Sequence, residues 1–259
     1  MTEKERWDQA AVDYQAVFRL GLSDYNRELL SFWTENGMLF PGARVLDIGC
    51  GVGRYGRCFA ELGCDVTLTD ISDEMLRHAR ENMGKCRTPW AVYCCDFNEV
   101  TGNEPVFAGG FDLSISTMSP AVHDAETVRK MSAMTHGWCF LARFYDWQQP
   151  FRDRLMQQMG LRPRRLFVDL RADCASMIQA VSEAGYVPQM NYVDYNWSDE
   201  RTPEQMADYM RRNYFAEDEN RKELARETLR LARAHAAENG SVIDNVNTKV
   251  AWIYWKTWE

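Results

Sequence analysis

The chain has 259 residues, 46% of them apolar, and a formal net charge of −8. That is enough apolar material for one sizeable core, and the acidic balance disfavours the broad basic footprint of a nucleic-acid binder. No apolar run approaches the roughly 18 residues of a membrane span, and the charged start Met1-Thr2-Glu3-Lys4-Glu5-Arg6 has no apolar core of a signal peptide. Cysteines stand at positions 50, 58, 64, 86, 94, 95, 139 and 174 with no CxxC pair, several in apolar runs where a reduced thiol packs as a small hydrophobe. The expectation is a soluble, cytoplasmic protein without a metal site.

In chain order, two helical stretches come first, 3–20 and 23–35, carrying Trp7, Tyr14, Phe18, Leu29, Leu30, Phe32 and Trp33. Strand-like segments at 44–48, 65–69, 90–95, 111–117 and 138–144 then alternate with helical patterns near 54–62, 73–83 and 125–136. That alternation predicts a parallel sheet with helices on both faces. Gly63 reads as a helix stop and Ser72 as an N-cap. Further on, the pattern predicts helices at 151–159 and 172–184, a strand at 187–195 and a closing strand at 248–254. Between those strands lie two charged helical stretches, 203–214 and 218–238. A charged pair is usually a solvated face, and a long insertion between strands also suits a substrate lid. The expected layout is one domain over 1–259, with a helical cap (1–40), a core (41–197 and 245–259) and an inserted lid (198–244).

The chemistry-bearing segment is Val45-Leu46-Asp47-Ile48-Gly49-Cys50-Gly51-Val52-Gly53-Arg54. A buried strand ends in an acidic residue, and glycines at alternate positions then let the backbone turn and approach a ligand closely. Against the dinucleotide fingerprint GxGxxG, Gly49 and Gly51 fit but Arg54 stands at the third position. Asp47 would repel a pyrophosphate and suits an amino group or a sulfonium. The second strand leads to Asp70, 21 residues after Gly49, where a doubly wound fold places a carboxylate on ribose hydroxyls. The third leads to Asp96 and Phe97.

These residues resemble motif I of the class I S-adenosylmethionine-dependent methyltransferases, (V/L)LD(I/V)GCGxG, of the small-molecule type. The motif likeness extends over 45–144. It implies a Rossmann-like α/β fold: a doubly wound, mostly parallel seven-stranded sheet with N-terminal helices and a helical insertion before the last strand. It implies S-adenosylmethionine as cofactor and S-adenosylhomocysteine as product. Asp47, Gly49, Cys50, Gly51 and Gly53 would hold the amino acid end, and Asp70 the ribose. Ile71, Asp96 and Phe97 would surround the adenine. Ser116 at the end of the fourth strand and Tyr14 on the first helix would complete the site.

The acceptor side is less defined. Met118-Ser119-Pro120-Ala121 replaces the Asn/Asp-Pro-Pro-Tyr of many amide and exocyclic-nitrogen methyltransferases. Ser119 and His123 are placed to orient an acceptor, and His123 is the candidate general base by residue type and position, against a plainer reading as a solvent-side residue near a helix start. Tyr145, Trp147 and Tyr195 are candidate acceptor contacts, since aromatic faces attract a sulfonium or another cation. The expected reaction is direct displacement onto a small-molecule acceptor. A protein or RNA methyltransferase, a non-catalytic cofactor-binding protein and an NAD oxidoreductase are the alternatives. The sequence names neither the acceptor nor the oligomeric state.

Overall fold

The computed structural model describes residues 2–19, 21–165 and 169–258. Leu20, the expected end of the first helix, lies outside them. The chain opens with α1 (Glu3–Arg19) and α2 (Asp24–Glu35), then alternates β1 (Arg44–Ile48), α3 (Arg54–Glu61), β2 (Asp65–Asp70), α4 (Asp73–Met83) and β3 (Trp90–Cys94). After β4 (Phe111–Thr117), α5 (Ala125–Ala133), β5 (Thr135–Gln148), α6 (Pro150–Gln158) and α7 (Leu170–Glu183) come β6 (Gln189–Asp194), β7 (Trp197–Arg201), α8 (Pro203–Asn213), α9 (Arg221–Ala234) and β8 (Val242–Lys256). No helix among the described residues is long and apolar enough to cross a membrane.

The strand order is β3-β2-β1-β4-β5-β8-β6, with β7 antiparallel on β8. β1 pairs in parallel with both β2 and β4, so the chain runs outward to β3 and then returns to the other side of β1. That reversal opens a crevice beyond the carboxyl end of β1, the usual ligand position in such sheets. Local signals set the boundaries. Ser72 Oγ accepts from the Met75 N–H at 3.0 Å and starts α4, while Ser23 and Asn26 form a capping box on α2.

The largest departures from the sequence expectation are in three strands, while α5 ends at Ala133 rather than 136 and α9 is shorter than 218–238. The sheet has eight strands rather than seven, because Trp197–Arg201 pairs with β8. Three of those five residues are charged, so the segment carries no apolar strand signal. β8 begins at Val242 instead of 248, because its inward positions include Asp244 and Thr248, which read as polar surface. β5 extends at both ends, to Thr135–Gln148.

The chain divides into two compact units, 1–143 with 172–192 and 251–259, and 144–171 with 193–250. In the first, Val45, Leu46, Ile48, Val66, Leu68, Leu113 and Ile115 are fully buried sheet residues. Trp33 of α2 sits edge-on to Phe140 at 5.1 Å and to Tyr55 at 5.5 Å. The second unit has its own core of Leu155, Met156, Met206, Met210, Tyr214, Phe215, Leu231, Ala232 and Val242. Its charged helices therefore have an apolar side. Inside it, Arg152 Nε meets both carboxylate oxygens of Asp244 at 3.0 and 2.9 Å, both residues being buried.

Candidate cofactor and acceptor site

Asp47 lies in β1, 1% exposed, and neither carboxylate oxygen has a hydrogen-bond partner among the described residues. Burial and the neighbouring Asp70 push its carboxyl up to about 8. A buried polar group without a partner is unfavourable, and an ionised one more so. A positively charged ligand group at this point would satisfy both oxygens.

Beyond Ile48 the backbone enters the left-handed region at Gly49, Gly51 and Gly53, with φ of 70°, 54° and 77°. At Gly49 a Cβ would lie 1.9 Å from Ser119 Oγ, so the missing side chain is what lets the β4–α5 loop rest on the glycine turn. Ser119 Oγ also accepts from the Ala121 N–H at 3.3 Å. Gly53 precedes α3 without any side-chain cap, which leaves first-turn N–H groups unclaimed by a capping side chain. Cys50 is half-buried, and burial holds its thiol well above the usual range.

Two glycine-loop features escape the frame that starts at Gly49. Arg54 donates to the Gly21 carbonyl at 3.2 Å and to Asn26 Oδ1 at 3.3 Å, pinning the α1–α2 connection. Gly56, inside α3, faces Leu68 of β2, where a Cβ would approach Cδ2 to 2.5 Å. Gly51, Gly53 and Gly56 thus satisfy GxGxxG in a second frame, with Gly56 as the close helix–strand contact. The Arg54 mismatch alone does not separate the cofactor classes. Asp47 does.

Asp70 ends β2 and ties the loop together. Its Oδ2 accepts from the Gly51 N–H and its Oδ1 from the Ser72 N–H, both at 2.9 Å. Burial raises its carboxyl, and these hydrogen bonds oppose the shift. Ser72 Oγ in turn donates to Asp8 Oδ1 on α1 at 2.6 Å, and Lys4 bridges Asp8 and Asp73 at 3.2 and 2.7 Å. The Ser72 hydroxyl holds the Asp8 carboxyl below its ordinary range. Ala11 of α1 packs with Val52 of the loop and Met75 of α4, flanked by Trp7 and Phe18. Gln15 and Asn82 exchange amide hydrogen bonds at 3.1 and 2.9 Å, and Asn82 also donates to the Val52 carbonyl at 2.8 Å. The N-terminal helix is therefore fastened to the glycine loop and to the β2–α4 corner. Tyr14, on the same helix, is 47% exposed and meets Trp7 edge-on at 6.2 Å.

Asp96 follows β3 and caps a short turn, accepting from the Asn98 N–H and Nδ2 at 2.9 Å. Phe97 is buried and Ile71 half-buried. Ser116 at the end of β4 is fully buried, and its hydroxyl has no partner among the described residues. His123 is half-exposed, with Nδ1 3.2 Å from the Pro120 carbonyl and Nε2 3.7 Å from Asp124. Asp124 caps α5 through the Thr127 N–H at 2.8 Å, so His123 sits just ahead of a helix start. Tyr145, Trp147 and Tyr195 belong to the second unit. There Phe144 stacks on Tyr195 at 6.4 Å, Trp147 meets Trp197 at 5.2 Å, and Tyr195 lies 5.1 Å from Trp197.

The first unit thus gathers Asp47, the glycine loop, Asp70, Ser119 and the α1 residues. Sequence reasoning missed Asp8 and Gly56, and it missed Arg143, a buried arginine at the end of an apolar run. Its only signal was a lone charge in Cys139-Phe140-Leu141-Ala142-Arg143-Phe144.

Residues 45–136 match a family model described as a methyltransferase domain. Forty residues are 50% identical to a ubiquinone biosynthesis O-methyltransferase of Xanthomonas campestris pv. campestris, covering 15% of this chain and 17% of that protein. The matched stretch is therefore under a fifth of that relative's length. Among solved structures, an N-methyltransferase of Haemonchus contortus with bound S-adenosylhomocysteine aligns over 96% of this chain and 57% of its own, at 16% identity and TM-score 0.51. Magnesium protoporphyrin IX methyltransferase of Synechocystis, also with S-adenosylhomocysteine, aligns over 73% of this chain and 90% of its own, at 17% identity and TM-score 0.50. At such identities the likeness is one of fold. Glycine loop, sheet order and family model agree: residues 45–136 match a methyltransferase domain, carried on a Rossmann-like fold.

Proposed function

We propose that the protein transfers a methyl group from S-adenosylmethionine to a small-molecule acceptor by direct displacement, releasing S-adenosylhomocysteine. The observation that carries this reading is Asp47, a buried carboxylate without a partner among the described residues, beside a glycine turn. It matches the ammonium of the cofactor's amino acid end and opposes a pyrophosphate.

When bound, the cofactor supplies a methyl group on a positively charged sulfur. Asp47 would accept from the ammonium, and Gly49, Cys50, Gly51 and Gly53 would line the amino acid end. Asp70 retains lone pairs beyond its two backbone bonds and would accept from the ribose hydroxyls. Asp96 would accept from the adenine amino group, with Ile71 and Phe97 as its apolar flanks. Ser116 would offer its unsatisfied hydroxyl, and Tyr14 would cover the site from α1. Positioning of donor and acceptor can supply about 7–11 kcal/mol of barrier reduction. Ser119 would orient the acceptor, and His123 would take a proton when the acceptor arrives protonated.

The aromatic cluster of the second unit supports Tyr145, Trp147 and Tyr195 as contacts for a planar or cationic acceptor, with 198–244 as the acceptor wall. We read the units as one functional methyltransferase acting in the cytoplasm on neither membrane nor nucleic acid. The second glycine frame favours a dinucleotide site as the alternative. Calorimetry separates them: S-adenosylmethionine and S-adenosylhomocysteine bind and NAD does not. Binding of NAD in preference to both would overturn the reading.

A further inference from the structure

The described arginines that face a carboxylate differ in how closely it approaches. Arg152 has Asp244 at 2.9–3.0 Å through three contacts. Arg164 and Arg165, less buried, hold Asp218 and Asp153 with paired contacts of 2.5 to 3.0 Å. Arg143 is as enclosed as a core residue, its side chain 9% exposed, yet its ion pair is a single Nε–Oδ2 approach of 3.8 Å to Asp173, a side chain itself 52% exposed. That distance is beyond hydrogen-bond reach. Its hydrogen bonds among the described residues go to carbonyls: Nη2 donates to Val122, and Nη1 reaches Ala142 at 3.4 Å.

Holding a carbonyl needs a donor, not a charge, and a neutral amide would do it without burying a cation. The place matters as well. Ala142 stands beside Thr117 in the β4–β5 register, so Arg143 follows at the carboxyl edge of the sheet. Val122 belongs to the loop whose Ser119 rests on Gly49. Burial without a close counter-charge also pushes the guanidinium below its ordinary range.

We propose that Arg143 anchors an anionic group, a carboxylate or a phosphate, carried by the methyl acceptor. This rests on the methyl-transfer reading above and narrows its substrate class to acceptors with a fixed negative charge. The planar guanidinium suits a two-oxygen contact with either anion.

The test uses the full chain, labelled with ¹⁵N and saturated with S-adenosylhomocysteine, titrated with acetate, inorganic phosphate and acetamide. The expected result is a saturable shift of the Arg143 Nε–H and Val122 N–H signals with acetate or phosphate and none with acetamide. Exposed Arg27 serves as the control for diffuse ion effects. In Arg143→Met the saturable shift at Val122 disappears, in Arg143→Lys it persists in part, and S-adenosylhomocysteine affinity stays within about threefold in both. Shifts that never saturate, or that match those at Arg27, overturn the proposal. So does a tenfold or greater loss of S-adenosylhomocysteine affinity in Arg143→Met with unchanged 5′-methylthioadenosine affinity, which would give the guanidinium to the cofactor's own carboxylate. Failure to bind S-adenosylhomocysteine at all would instead sink the methyl-transfer reading.

Discussion

Asp47 and Asp244 are buried almost equally, at 1% and 0% exposure, and their surroundings are opposite. Asp244 receives Arg152 at 2.9–3.0 Å and Arg201 at 3.4 Å, and the phenol of Tyr214 accepts from Arg152 at 3.0 Å. Asp47 receives nothing from the described residues. A buried carboxylate enclosed by partners belongs to the structure, and the proposed function gives the open one to a ligand. The two aspartates should therefore respond in opposite ways to removal.

The largest effect is expected at the closed pair. Asp244→Ala leaves Arg152 buried without its carboxylate and should destabilise the protein by about 3–5 kcal/mol in a denaturant titration. A loss under 1 kcal/mol would mean the pair is replaceable and the contrast is empty. Next comes Asp70→Ala. It removes the proposed ribose contact and the acceptor of the Gly51 and Ser72 amides, and about a 10–100-fold loss in S-adenosylhomocysteine affinity should follow. Unchanged affinity would strip Asp70 of the ribose role.

A pH series sharpens the contrast further. Burial holds the Asp47 carboxyl near 8 in the folded protein, against 3.8 for an ordinary aspartate. With the folded value raised, the native state holds more protons between those limits, so this group's contribution is full below about pH 4 and is lost as pH rises toward 8. An ammonium ligand favours the ionised form. Affinity should therefore climb between pH 6 and 8, by at most about tenfold per unit, with proton release seen as buffer-dependent calorimetric heat. A flat profile would contradict the assignment of the ammonium to Asp47.

The smallest effect concerns α1. Asp8→Asn weakens the Ser72 and Lys4 contacts that fasten the helix beside the glycine loop. Stopped-flow release of S-adenosylhomocysteine should accelerate by about two- to fivefold, as expected for partly exposed hydrogen bonds and ion pairs. No change in release would show that α1 does not gate the site.

The same contrast explains what the sequence makes legible. β1 to β3 and the two helices between them follow their predicted bounds to within a residue, because apolar runs, the Ser72 cap and Gly63 all agree. Asp47, Asp70 and Asp96 are legible as carboxylates at or just past successive strand ends. β7 and the first half of β8 are not, because the partner of Asp244 lies 92 residues away in sequence and a polar residue alone reads as surface. Arg143 is hidden for a related reason, since a pattern shows a charge but not how far away its counter-charge lies. Gly56 is missed by fixing the fingerprint on Gly49, when the helix–strand contact is made one frame later.

The most direct test compares S-adenosylhomocysteine with 5′-methylthioadenosine, which lacks the amino acid end, on the wild type and Asp47→Asn by calorimetry at pH 8. The wild type should prefer S-adenosylhomocysteine, and Asp47→Asn should shrink that preference by about 10–100-fold with 5′-methylthioadenosine affinity and fold stability preserved. An undiminished preference in Asp47→Asn would contradict the claim that the open carboxylate of β1 holds the cofactor's ammonium.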